Sequence, residues 1–142
     1  MREILFKAKR MDNGEWVEGL LIMMFWRHHI QMLEDENIAY SIDPKTICQY
    51  TGLTDKNGNK IWENDILRYS YEYPGSPWLK KEEKIKYSVG AVFWQEWRGA
   101  WAVCGWGTSQ MVNQNVFVYC RNPNRTEVIG NIFDNPELLE EE

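Results

Sequence analysis

The residue types that most often carry enzymatic chemistry are few and scattered in this sequence. The two histidines, His28 and His29, are adjacent, so on a strand they would project to opposite faces and could not converge on one metal ion. The cysteines Cys48, Cys104 and Cys120 are widely spaced and form no CxxC pair. We expect reduced, buried thiols and no metal site. A Cys104 or Cys120 thiol brought beside His28 by folding is the remaining route to nucleophilic catalysis.

Paired carboxylates occur in polar segments that resemble turns, where solvation and turn formation explain them. The pairs are Asp12 with Glu15, Asp35 with Glu36, and Glu63 with Asp65. We interpret Asp65 as a turn residue that organises the strand after it. No GxGxxG, GxxxxGK[ST] or GxSxG motif is present. The sequence therefore predicts no catalytic residue, no cofactor and no enzyme.

A group of tryptophans is the feature most open to a functional interpretation. Trp94 and Trp106 share the alternation of apolar neighbours, whereas Trp97 and Trp101 flank a turn at Arg98. Core packing is the favoured interpretation, and a surface that docks peptides or stacks bases is the alternative. The residues of that candidate binding surface are Trp97, Arg98, Trp101, Lys80 and Lys81.

Charge and hydropathy limit the classes of partner. The net charge of the 142 residues is −5, which disfavours nucleic acid because phosphate neutralisation needs clustered Lys and Arg. The longest apolar run, Leu20 to Trp26, is too short to span a bilayer and is predicted to form a buried strand. The first residues lack the apolar stretch of a secretory signal. We expect no membrane association and a cytoplasmic location.

The composition and the alternation of apolar residues predict a mainly β fold. Eight Trp, seven Tyr and five Phe favour pleated, half-buried surfaces. Alternation around Phe6, a turn at residues 12–14 and apolar residues from Trp16 predict a hairpin. The second strand is expected to run from Glu15 to about Arg27. Nothing divides the chain, so a single domain over residues 1–142 is predicted.

Turn-forming residues delimit the remaining elements. Residues 54–60, TDKNGNK, and 63–66, ENDI, form two predicted polar turns. Asn135 followed by Pro136 predicts a short C-terminal helical turn. A loop is expected from 73 to 86, and further strands over 67–73, 91–97, 100–106, 116–120 and 127–133.

Three blocks of this sequence resemble the YopX family of phage and prophage proteins. They are WVEG at 16–19, IDPKTICQYTGLTDKNGNKIWENDILRY at 42–69 and EVIGNIFDNPELL at 127–139. The blocks occur in the family's order and cover nearly a third of the positions. The resemblance implies a mainly β fold with an SH3-like barrel around the central block, additional β-hairpins, and no assigned activity or catalytic residues.

The departures from the family pattern are local. Asn64 stands where the family usually has glycine, and asparagine is the next residue able to adopt a left-handed conformation. Ala8 also stands where glycine is common. Residues 23–40 and 73–83 match the family poorly, so we expect any specificity peculiar to this chain to lie there.

Three functional hypotheses follow from these observations. The first is a non-enzymatic interaction module of a phage or prophage, with an unknown protein partner or a second copy of itself. The second is a nucleic-acid-binding accessory protein that uses the aromatic and basic residues between Lys80 and Arg98. Glu82, Glu83 and Glu96 dilute that positive charge. The third, a small enzyme, would need a cluster of reactive groups brought together by folding.

Overall fold

A computed structural model describes most of the chain. The described residues are 3–72, 78, 80, 85–97, 99–105, 113–115 and 125–139. The chain divides into two compact units, Met1–Gly52 and Leu53–Glu142. That residues 1–142 form a single domain stays a prediction.

The described residues are mainly β, as the sequence predicts. The strands are β1 (Phe6–Lys9), β2 (Trp16–Met24), β3 (Arg27–Gln31), β4 (Ala39–Ser41), β5 (Cys48–Thr54), β6 (Lys60–Trp62), β7 (Asp65–Glu72), β8 (Ile85–Gln95), β9 (Ala100–Gly105), β10 (Asn113–Asn115) and β11 (Thr126–Asn131). Short 3₁₀ turns lie at Pro44–Thr46 and Pro136–Leu139. In the part of the chain described here, no helix is long and apolar enough to cross a membrane.

The first unit contributes β4, β3, β2, β1 and the start of β5 to a six-stranded sheet of order β4-β3-β2-β1-β5-β6. Strands β1 and β2 form the predicted first hairpin, in which Ala8 pairs with Val17 and Gly14 takes a φ of +72° in the connecting turn. The core contains Ala8, Ile30 and Ile42, with Val17 and other partly buried residues packed against them. One face of β2 and β3 is therefore fixed against this core.

Gly19 allows β3 to lie close to β2. A Cβ atom at Gly19 would lie 2.1 Å from the backbone oxygen of Gln31, far inside a van der Waals contact. Gly19 pairs with Phe6 in β1, while the next residue, Leu20, pairs with Gln31. The glycine thus sits where the hairpin of β2 and β3 leaves the rest of the sheet.

The second unit contains an antiparallel sheet with the order β10-β9-β8-β7-β11. Its core is built from β6 through β9. The buried members are Ile61, Leu67, Tyr69, Val92, Trp101 and Val103. Neither this strand order nor that of the first unit returns to its first strand, so the described residues contain no closed barrel.

The TDKNGNK turn is anchored by a buried carboxylate. Asp55 is 2% exposed, and its oxygens accept N–H hydrogen bonds from Asn57, Asn59 and Val128, each at 2.9 Å. Burial alone would raise the pKa of Asp55, but these hydrogen bonds outweigh it and the pKa is lowered. Gly58 supplies the positive φ of the turn. One carboxylate therefore joins this turn to β11.

The second predicted turn, ENDI, also has the expected chemistry. Asn64 adopts a φ of +70°, as expected for asparagine in the glycine position. The Asp65 carboxylate accepts a hydrogen bond of 2.8 Å from the backbone N–H of Trp62. This hydrogen bond fits the interpretation of Asp65 as a turn residue; that it organises the strand after it stays a prediction.

The C-terminal block forms the predicted strand and helical turn. Strand β11 ends at Asn131, whose side-chain oxygen accepts N–H bonds from Phe133 and Asp134. The 3₁₀ turn then starts at Pro136, directly after Asn135. The predicted strand over 116–120, and most of the predicted loop from 73 to 86, lie outside the described residues.

Candidate functional site

Two aromatic residues form the loop of the β2–β3 hairpin. Met24 pairs with Arg27, so Phe25 and Trp26 alone connect the strands. Their φ values are +50° and +64°. Positive φ at both central residues is the pattern of a type I′ turn, for which Asn-Gly is the preferred sequence. We call Met23–Arg27 the hairpin tip.

The hairpin tip is exposed and apolar. Trp26 is 97% exposed and Phe25 is 87% exposed, and Met23 and Met24 beside them are exposed too. Single apolar residues are common on protein surfaces, but a contiguous group typically marks an interaction site. This overturns the prediction of a buried strand from Leu20 to Trp26 and of one strand from Glu15 to about Arg27. The chain reverses at Phe25 and Trp26.

The conformation of the tip is unfavourable for the residues that occupy it. A left-handed backbone costs a non-glycine residue about 1–2 kcal/mol, and bulky side chains rarely adopt it. The other described turns use glycine or asparagine where they need positive φ, as at Gly14, Gly58 and Asn64. Folding therefore does not explain why Phe25 and Trp26 stand here, and strain of this kind is often found at functional sites.

The tip is also locally cationic. Arg27 is exposed, and His28 and His29 follow it on β3. Residues 19–33 contain no Asp or Glu, although the whole chain carries a charge of −5. His29 Nδ1 lies 3.0 Å from the backbone oxygen of Arg27. An apolar tip with a basic margin suits a partner surface that has an apolar pocket and acidic residues beside it.

The residues of the predicted binding surface lie in different environments. Trp97 is 77% exposed in the turn between β8 and β9, and Lys80 is exposed as well. Trp101 is only 7% exposed and belongs to the core of the second unit, so its assignment to a surface is corrected. Arg98 and Lys81 lie outside the described residues.

Two tryptophans of the predicted group, Trp94 and Trp101, are neighbours in the second unit. Trp94 and Trp101 pair across β8 and β9, and their rings meet edge to face with centroids 5.1 Å apart. The structure buries Trp101, as the favoured interpretation of core packing predicts, and leaves Trp94 exposed. Both rings lie on one face of the sheet, and alternation does not reveal which member of a pair is covered.

Comparison with known proteins identifies the family. A family model described as YopX protein matches residues 6–140. The chain belongs to the YopX family. The resemblance inferred from the three sequence blocks is thereby confirmed, and the tip lies inside residues 23–40, where we expect specificity peculiar to this chain.

Two further comparisons concern curated proteins and solved structures. No curated protein matches this YopX-family chain. A similar solved structure is the crystal structure of protein EF1440 from Enterococcus faecalis, with a TM-score of 0.53 and 23% sequence identity. The match covers 99% of this chain and 100% of that one. At this level of identity the similarity shows the fold alone.

Potential metal ligands of this YopX-family chain are not clustered within the described residues. The described residues contain no group of three or more His, Cys, Asp or Glu that could hold a metal ion. His28 and His29 pair with successive residues of β2, so they project to opposite faces as predicted. The buried Cys48 donates its S–H to the backbone oxygen of Thr46 at 3.3 Å. The exposed hairpin tip is thus the strongest candidate site.

Proposed function

We propose that this YopX-family chain is a non-enzymatic protein-interaction module of a phage or prophage, acting in the cytoplasm of the bacterial host. Its binding surface is the hairpin tip, Met23–Arg27. The observation that carries the proposal is the placement of Phe25 and Trp26, almost fully exposed, in a turn whose backbone favours Asn and Gly. Folding alone gives no reason for that choice.

The chemistry of the tip supports protein binding. Tryptophan and arginine are enriched among the residues that dominate interface energies, and they act by filling desolvated pockets. Trp26 and Arg27 are adjacent, and methionines such as Met23 and Met24 adapt their shape to irregular apolar surfaces. Phe25 and Trp26 lie at the end of a two-stranded hairpin, whose hydrogen-bonded strands fix their backbone. Less conformational entropy is therefore lost when they bind.

Site-specific photocrosslinking tests this proposal without removing the aromatic character of the site. A photoreactive phenylalanine analogue would replace Trp26 in the full chain, expressed in the bacterial host. The matched control places the same analogue at Met11, which is also exposed but lies in the β1–β2 turn. We expect a discrete crosslinked protein from position 26 and none from position 11. Equal or absent crosslinking at both positions would contradict the proposal.

The proposal includes an SH3-like barrel around the central block. It is supported by the consecutive antiparallel strands β7, β8 and β9 and by the packing of Ile61 from β6 into their core. Small barrels of this kind present loops and hairpins for binding.

Nucleic-acid binding is the second candidate function, favoured by the exposure of Trp97 beside β8 and of Lys80. Aromatic side chains stack bases and lysines neutralise phosphates. A complex with single-stranded DNA that weakens steeply with salt, and that is lost in Trp97→Ala but kept when the hairpin tip is altered, would favour this candidate over the first.

A further inference from the structure

Two Asn-Gly pairs occur in this chain, Asn13-Gly14 and Asn57-Gly58. Both asparagines are exposed, and both glycines take positive φ, +72° at Gly14 and +80° at Gly58. A Cβ atom built at either glycine would meet no other atom within 4 Å. Both pairs are therefore open to water, and packing hides neither of them.

An asparagine followed by glycine can lose its side-chain amide without an enzyme. The backbone nitrogen of the glycine gives up its proton and attacks the side-chain carbonyl carbon, Cγ, of the asparagine. The bond between Cγ and the amide nitrogen breaks, ammonia leaves with the proton, and a succinimide ring remains. Water then opens the ring at either carbonyl, which gives aspartate or isoaspartate. Glycine favours ring closure because it has no Cβ atom to obstruct the approach of its nitrogen.

The two pairs differ in what holds the asparagine side chain. The side-chain oxygen of Asn13 accepts a hydrogen bond of 2.9 Å from the backbone N–H of Glu15. Ring closure at Asn13 requires its side chain to turn towards Gly14, and that movement breaks the bond. Within the described part of the chain, Asn57 has a hydrogen bond only at its backbone N–H, which donates to Asp55. Its side-chain amide can therefore turn without losing a partner.

The glycine nitrogens do not distinguish the two pairs. Gly14 donates its N–H to the backbone oxygen of Arg10 at 2.9 Å. Gly58 donates its N–H to the backbone oxygen of Asp55 at 3.0 Å. Either bond must break before the nitrogen can attack, so this cost is similar at both positions. The side-chain bond of Asn13 is the remaining difference, and a hydrogen bond of ordinary strength corresponds to about fivefold in rate.

Asn57 lies in the turn that the Asp55 carboxylate holds together. The oxygens of that carboxylate accept the backbone N–H groups of Asn57, Asn59 and Val128. Isoaspartate at position 57 adds a Cβ atom to the main chain, which moves the N–H of Asn59 relative to Asp55. Aspartate at position 57 instead places a second negative charge two residues from the first, and like charges repel. Either product weakens the turn that Asp55 joins to β11.

We propose that Asn57 is a site of spontaneous deamidation, and that this modification slowly destabilises the second unit of the folded protein. The reaction consumes only water and releases ammonia, so it needs no enzyme or cofactor. The structure selects Asn57 over Asn13, although the two have the same neighbour in the sequence. The modification does not involve the hairpin tip, so it is independent of the proposed function.

Peptide mapping of the full chain after incubation in mildly alkaline buffer tests the site. Mass spectrometry detects the exchange of amide for carboxylate, and chromatography separates the aspartate and isoaspartate peptides. In the folded chain we expect Asn57 to react about fivefold faster than Asn13, or more. In urea the hydrogen bond of the Asn13 side chain is absent, and the two should react at similar rates. The matched control is Asn57→Gln, which keeps an amide but would have to close a larger, less favourable ring.

Urea unfolding before and after the incubation tests the effect on stability. The natural chain should unfold at a lower urea concentration after incubation, whereas Asn57→Gln should keep its midpoint. Three results would overturn the inference. They are a folded chain in which Asn13 reacts as fast as Asn57, an Asn57 that stays intact in the folded chain while it reacts in urea, and a deamidated protein with an unchanged midpoint. The first two are read from the natural chain alone, so they do not depend on how well the variant folds.

Discussion

At Asp55 the chain holds a carboxylate where almost no water reaches, and backbone amides replace the water. Three N–H groups, from Asn57, Asn59 and Val128, surround its oxygens. The first two shape the turn, and the third joins that turn to β11, 73 residues further along the chain. The salt bridge of 2.6 Å from Lys56 to Glu127 lies beside this contact.

Removing the Asp55 carboxylate should destabilise the protein strongly. Asp55→Ala leaves three buried or partly buried N–H groups without their acceptor, and hydrogen bonds to a charged group contribute about 1.5–3 kcal/mol each. We expect the free energy of unfolding in urea to fall by about 3 kcal/mol or more. Asp12→Ala, which removes an exposed ion pair with Arg10, is the control and should leave it nearly unchanged. Equal effects of the two would contradict this account of Asp55.

The lowered pKa of Asp55 predicts an acid-dependent loss of stability. Its folded pKa lies below the ordinary value of 3.8, so its stabilisation is complete above that value and is lost as the pH falls through the folded pKa. The difference in unfolding free energy between the natural chain and Asp55→Ala should therefore narrow below pH 3.8. Urea unfolding at a series of pH values measures it. A difference that stays constant or widens in acid would show the opposite sign of shift.

Single residues were predictable from the sequence when their role depends on near neighbours. Asn64 and Asp65 act within one turn, and both were predicted correctly. The role of Asp55 was not, because it depends on Val128, which only the folded chain brings close. The sequence left open which tryptophans are buried for a similar reason, since the burial of Trp94 and Trp101 depends on what covers a sheet face.

At the scale of elements, hairpins with a glycine turn were predictable and the β2–β3 hairpin was not. The first hairpin has Asn13 and Gly14 between its strands, a strong local turn signal. Between β2 and β3 the chain has Phe25 and Trp26 inside an apolar run, which is typical of a buried strand. The sequence did lead us to expect specificity peculiar to this chain within residues 23–40, but not a reversal of the chain there.

At the scale of the whole molecule, the fold class followed from composition and alternation, and the family followed from the three sequence blocks. The mainly β fold is confirmed, and the match to the YopX model covers residues 6–140. The division into two compact units had no counterpart in the sequence. It falls inside β5, where no proline-rich or polar linker marks a boundary.

The free energy of unfolding of the whole chain is the most direct test of the claim that Phe25 and Trp26 stand at the tip for binding. The test compares the natural chain with Phe25→Asn/Trp26→Gly, at a concentration low enough that self-association adds nothing. Because Asn and Gly suit the positive φ values, we predict a gain of about 1–3 kcal/mol in urea unfolding. The same variant should lose binding to the partner that photocrosslinking from position 26 identifies in the chain that keeps an aromatic side chain there. A variant that is less stable, or that binds as the natural chain does, would contradict the account.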